Sequence, residues 1–140
     1  MKTTVPPASV VNSLMAREID RFIEAARERG EYDIDTRRRA MRRYHRSWPL
    51  LVSNLRGNNE ISAALHNASV NGIGFLSARE FSVGAIVLIR LFWYEDSGLR
   101  VPAAVRHITP YRDAILTGCE FAIDDESACQ AGLYANRWYD

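Results

Sequence analysis

A chain of 140 residues, 47% hydrophobic and 25% charged, fits one globular domain with a core of its own. The formal net charge is only +1, so whole-molecule attraction to DNA or an anionic membrane is weak, and anion binding must come from local clustering. Cys119 and Cys129 are too few for a disulfide framework, and no CxxC or histidine spacing suggests a metal site. The N-terminus has no signal-like apolar segment, and no apolar run is long enough to span a bilayer, so a reduced, cytoplasmic protein is expected.

In chain order, Pro6-Pro7 belong to a lead-in. Asn12 or Ser13 is placed to cap a helix reaching about Arg29, with Gly30 as its stop. Val11, Met15, Ile19, Phe22, Ile23 and Ala26 recur at three- and four-residue steps and form one apolar stripe. That stripe is expected to pack on the chain's own domain, with a second copy as the alternative. Glu31-Tyr32-Asp33-Ile34-Asp35 reads as an acidic linker.

From Trp48 the pattern changes to short strands. Segments 49–55 and 60–69 read as the first two, separated by the turn Arg56-Gly57-Asn58-Asn59. Ile61, Ala63 and Leu65 share one face, and Asn67 and Ser69 continue that parity. Gly72 and Gly74 interrupt the chain before Phe75-Leu76. Residues 84–94 are the most apolar run and read as a central strand. Segment 99–109 follows, with Val101, Ala103, Val105 and His107 on one face and Arg100 and Arg106 on the other; Thr109-Pro110 opens a turn. Segment 114–123 is the last strand. Asp124-Asp125-Glu126 suit the N-terminus of a closing helix. About six strands at short spacing suggest a small antiparallel barrel flanked by helices.

Two stretches are candidates for chemistry. Residues 37–46 hold six arginines and no acid. A G+C-rich genome would favour arginine over lysine throughout, and Lys2 is the sole lysine, but that bias does not gather six arginines into ten residues. Guanidinium groups are planar and permanently charged, which suits phosphates and base edges. Arg38/Arg42, Arg39/Arg43 and Arg42/Arg46 are each four apart, so each pair can share a helix face or close on one ligand from a loop. The plain reading is a solvated basic surface. The second stretch is Asn67-Ala68-Ser69-Val70-Asn71-Gly72. It offers an amide for a base edge, a hydroxyl, and a glycine that lets backbone approach a ligand. Its plain reading is an ordinary turn.

Taken together, in this order and with this strand pattern, the two stretches resemble the PilZ domain family of bacterial receptors for cyclic di-GMP. That family carries RxxxR before the barrel and [D/N]xSxxG on the second and third strands. Residues 67–72 match the second motif in full. Pro49, six residues after Arg43, favours the register Arg39-Ala40-Met41-Arg42-Arg43. Gly84 before an apolar strand, Val105-Arg106-His107-Ile108 and Gly118-Cys119-Glu120-Phe121 fit as well. The resemblance implies a mainly β fold: a six-stranded antiparallel PilZ-type β-barrel over residues 37–123, an N-terminal helix within 1–36 and a short C-terminal helix within 124–140. It implies a cyclic di-GMP site in which Arg39 and Arg43 grip guanine edges and phosphates. Arg38 would be a further contact, consistent with two stacked ligands. Asn67 would read a guanine, Ser69 would hydrogen-bond near base or phosphate, and Gly72 would keep the surface open.

The expected function is thus a receptor that changes shape on binding and signals through an effector protein, with no cofactor beyond the ligand. No nucleophile, base and orienting group form a recognisable set, so no enzymatic activity is expected. Two alternatives stand beside it: a PilZ-like protein interaction module that does not bind nucleotide, and a small β-barrel that binds single-stranded nucleic acid. The low net charge counts against the last. A homodimer through the helix stripe is left open. Trp48, Trp93 and Trp138 are read as core or barrel-rim residues, and His107 and Cys119 as core residues. Arg90 and Arg106 are read either as cleft-lining or as paired with acids such as Glu95 and Glu120.

Overall fold

A computed structural model describes residues 8–34, 48–95 and 99–134. The elements are α1 (Ala8–Ile34), β1 (Pro49–Ser53), β2 (Ile61–Ala68), β3 (Gly72–Ser77), β4 (Ile86–Arg90), β5 (Arg100–Tyr111), β6 (Ala114–Phe121) and α2 (Glu126–Tyr134). The strands pair antiparallel in the order β1-β2-β3-β6-β5-β4, and β1 closes on β4. A closed barrel leaves no unpaired edge. The expected mainly β, six-stranded barrel with a helix at either end is therefore the observed fold.

The barrel interior is filled by alternate side chains from each strand, among them Leu50, Val52, Leu65, Phe75, Ile89, Val101 and Val105, all fully buried. Outside it, α1 lays down the predicted stripe: Val11, Met15, Ile19 and Phe22 are buried. Phe22 meets Trp48 edge-on at 5.2 Å between ring centroids, and Phe92 at 6.1 Å. The helix is thus docked on its own domain. Arg21 stacks 3.8 Å above the Phe92 ring centroid and donates to both carboxylate oxygens of Glu95 at 2.7 Å. That guanidinium holds the Glu95 carboxyl below the usual carboxylate range and is itself raised by the pair. The ion pair's contribution is complete at neutral pH and disappears as acid protonates Glu95.

Several boundaries differ from the sequence expectations. Helix α1 begins at Ala8 and runs through Gly30 to Ile34, so Asn12 and Ser13 are interior and residues 31–34 are helix rather than linker. A glycine costs a helix only about 1 kcal/mol, which the buried stripe offsets. The run 84–94 is strand only over Ile86–Arg90. Leu91 and Phe92 stay buried but leave the ladder, carrying Phe92 beneath α1, and Trp93-Tyr94 form an exposed turn. Gly72 and Gly74 lie within β3 rather than before it. β5 continues through Thr109-Pro110 to Tyr111, and the hairpin turns at Arg112-Asp113, with Arg112 at φ 58°.

Helix α2 starts where the acids indicate. The Asp125 carboxylate accepts the Ala128 amide at 3.1 Å and caps it. The helix lies close on β5: a Cβ on Gly132 would fall 1.9 Å from the carbonyl oxygen of Arg100. It covers the outer face of β5 at this end, which is why Arg100 through Val105 are all buried instead of alternating. Arg100, expected on an outward face, is 4% exposed and pairs with Glu60.

Candidate functional site

Of the predicted site residues, Asn67, Ser69 and Gly72 are described; Arg38, Arg39 and Arg43 lie outside the described residues, as does Trp138. The three described residues border one open cleft of about 310 Å³ on the outside of the barrel, shared with Gly74, His107 and Gly118.

A β-bulge makes that arrangement. Between Leu65 and Asn67 the β2–β3 register shifts by one residue at His66. Leu65 is buried, whereas Asn67 and Ser69 are exposed. Plain alternation would put all three on one face; the inserted residue turns the latter two outward. The Asn67 side chain then lies across its cross-strand partner Gly74, where a Cβ would sit 2.5 Å from Asn67 Oδ1. A tight turn returns the chain, with the Ser69 amide donating to the Gly72 carbonyl at 2.9 Å. Ser69 Oγ accepts the Asn71 amide at 3.2 Å, which leaves its hydroxyl proton for a ligand.

Gly72 has a second reason to be glycine. A Cβ there would fall 2.3 Å from the carbonyl oxygen of Cys119 on β6. Backbone cannot swing aside as a side chain can, so Gly72→Ala must open the β3–β6 ladder at its end. The expected cost is about 1–3 kcal/mol, read as a lower thermal midpoint of the ligand-free protein. A melting temperature equal to wild type would contradict this contact.

His107 is the residue that sequence reasoning missed. Parity with Val101, Ala103 and Val105 assigned it to the core. A second bulge, between Val105 and His107, shifts the β5–β6 register and turns it outward into the cleft. It is exposed rather than buried. Nothing in the local sequence marks this bulge. Arg106, the bulged residue, pairs with Glu120 at 2.7 Å, both half-exposed, and does not line the cleft. Arg90 donates to the Glu95 carbonyl. Trp48 is buried, its Nε1–H donating to the Leu91 carbonyl at 2.9 Å, while Trp93 is 48% exposed.

Cys119 is buried, and desolvation pushes its thiol up to about 12; burial and the nearby Asp125 and Asp124 push Cys129 up to about 11. Both are neutral thiols at physiological pH and poor nucleophiles. A larger groove of about 670 Å³ lies between Phe81, Val83, Ile108, Pro110 and Ile115. Most of its lining residues are apolar, and the one charged residue among them is Glu80. That suits an anionic ligand far less than the cleft of amide, hydroxyl and imidazole at Asn67, Ser69 and His107.

Among described residues no helix is long and apolar enough to cross a membrane. No curated protein matches the chain. Among solved structures it is similar to MrkH, described as a novel c-di-GMP dependence transcription regulatory factor. The identity is 11% and the TM-score 0.38, over 66% of this chain and 47% of that one. The chain thus spans about half the length of that protein, and a likeness so distant carries no weight for function. The family comparison is stronger. The model of the PilZ domain matches residues 36–134, a span that takes in the whole barrel and α2. The chain belongs to the PilZ domain family.

Proposed function

We propose that this protein is a cyclic di-GMP receptor that changes conformation on binding and passes that change to a protein partner. Membership of a family of cyclic di-GMP receptors supports the ligand. The observation that carries the reading is the joint placement of Asn67, Ser69 and Gly72 around one cleft, beside the strand that the arginine stretch leads into.

The Leu65 amide donates to the Trp48 carbonyl at 3.0 Å, so the chain just before β1 is already alongside β2. Asn67 is two residues beyond Leu65, about 7 Å along the strand. Arg43 is five residues before Trp48, a tether of up to about 17 Å. Contour length therefore lets Arg38, Arg39 and Arg43 meet the cleft. In this reading their guanidiniums take phosphates and guanine edges, Asn67 takes a base edge, and Ser69 donates its hydroxyl proton.

The stretch runs between helix α1 and Trp48, and these two pack on each other. Helix α1 ends at Ile34, five residues before Arg39. On the other side stands Trp48, which Phe22 of α1 contacts directly. A ligand that draws the arginines onto the cleft pulls on α1 and on Trp48 together. That is the proposed conformational step, and the surface of α1 is where a partner would sense it.

Calorimetric titration with cyclic di-GMP at low salt tests the reading. Saturable binding is expected. Absence of heat and of any competing signal would overturn it. Binding of an unrelated oligonucleotide instead, with a steep loss in salt, would favour the single-strand alternative.

A further inference from the structure

The cleft has a second wall that neither sequence motif includes. Asn67 pairs with Gly74, Gly74 with Gly118, and Gly118 with His107, so the four form one row across β2, β3, β6 and β5. The two central positions have no side chain, and the two outer side chains lean over them. A Cβ on Gly118 would fall 2.1 Å from His107 Cε1, 2.2 Å from Nε2 and 2.8 Å from Nδ1. Near-equal distances to Cε1 and Nε2, with Nδ1 little farther, mean that the face of the ring, not its edge, lies over Gly118. The opposite face points away from the sheet, and the residue is exposed.

The two outer residues reach the cleft by the same device. Each follows a single-residue bulge, at His66 for Asn67 and at Arg106 for His107. Arg106, the residue before His107, is paired with Glu120. An aromatic ring laid flat on a sheet, with one open face beside an amide, is suited to stacking a nucleobase.

We propose that His107 is a further ligand-binding residue: its imidazole face stacks on a purine base of the nucleotide while Asn67 reads that base's edge from across the row. The inference rests on the reading of this cleft as a nucleotide site and names what holds the base there. The two glycines are then part of the recognition surface, since a side chain on Gly118 would displace the ring.

The test is calorimetric affinity for cyclic di-GMP across four proteins: wild type, His107→Ala, His107→Phe and Gly118→Ala. His107→Ala is expected to weaken binding roughly tenfold or more, the range for losing one base–aromatic stack. His107→Phe keeps a ring and is expected to stay within about threefold of wild type on the same grounds. Gly118→Ala is expected to weaken binding although His107 is still present. Melting of ligand-free His107→Ala should match wild type, because the side chain is outside the core. Wild-type binding with an unchanged His107→Ala overturns this inference and leaves the proposed receptor standing. His107→Phe as weak as His107→Ala also overturns it, because the contact would then run through a ring nitrogen. A wild-type chain that does not bind at all overturns the receptor reading first, and this one with it.

Discussion

Replacing Arg39 and Arg43 together by alanine is expected to weaken cyclic di-GMP binding by about 10²- to 10⁴-fold. Hydrogen bonds to charged groups contribute about 1.5–3 kcal/mol each, and 1.4 kcal/mol is a factor of ten. Two guanidiniums on a doubly anionic ligand therefore account for a loss of that size. The ligand-free melting temperature should hardly move, since the described residues from Val11 to Cys129 form an apolar core among themselves. Residual binding should also depend less on salt, as two charges facing the ligand are gone.

The control is charge-matched. Arg37→Ala with Arg46→Ala removes the same two charges from the same stretch but leaves the preferred RxxxR pair intact. If cluster charge alone draws the ligand, both double variants weaken equally. If specific contacts do, only the Arg39/Arg43 variant falls by orders of magnitude. Equal and small effects would remove the arginine stretch from the site and leave the Asn67 cleft to be explained without it.

How much of this was legible beforehand depends on the physics of each element. Helix α1 was readable because its stripe repeats over four turns, so local periodicity and tertiary burial agree. The barrel was readable from strand spacing, and the cap at Asp125 from the run of acids. The two misplaced cleft residues share one cause. Period-2 alternation assumes an unbroken ladder, and two inserted residues, His66 and Arg106, break it. Each insertion reverses the face of everything downstream, so Asn67 and His107 turn outward against their parity. A bulge is stabilised by strands distant in sequence, and a single strand's pattern cannot carry that information. The same holds for Arg100: elements distant in sequence, α2, Glu60 and Ser53 among them, close over a face that strand parity leaves outward. Asn67, Ser69 and Gly72 were found through the motif, not the parity. His107 lies in the strand pattern that fits the family but outside both ligand motifs, and its outward turn needed the sheet register to be seen.

Phe22→Ala is expected to destabilise the protein by about 3–5 kcal/mol, the usual cost of removing a buried phenyl group. The side chain is fully buried and sits edge-on to both Trp48 and Phe92. For a domain of this size the thermal midpoint should drop by roughly 10–20 °C. Arg21→Ala, one position earlier, gives the contrast. It removes ion pairs with Glu95 and with the buried Glu18 and a cation–π contact, and its side chain is 48% exposed. Solvent screening holds the Glu95 pair to about 1 kcal/mol or less, while the buried Glu18 loses its partner, so the midpoint should fall measurably but by less than for Phe22→Ala. The order of the two effects identifies what docks α1: apolar burial beneath the helix, with the ion pair as a guide to register. Comparable losses from both variants would mean that charge rather than packing holds the helix. The docking also bears on the receptor mechanism. Phe22 contacts Trp48, the first described residue after the arginine stretch. If ligand binding must shift α1 against that contact, loosening it lowers the work of the shift, and Phe22→Ala should bind cyclic di-GMP at least as tightly as wild type at temperatures where it remains folded. Weaker binding by a folded Phe22→Ala would mean instead that a docked α1 holds the arginines in place for the ligand, and would overturn the proposed direction of the conformational step.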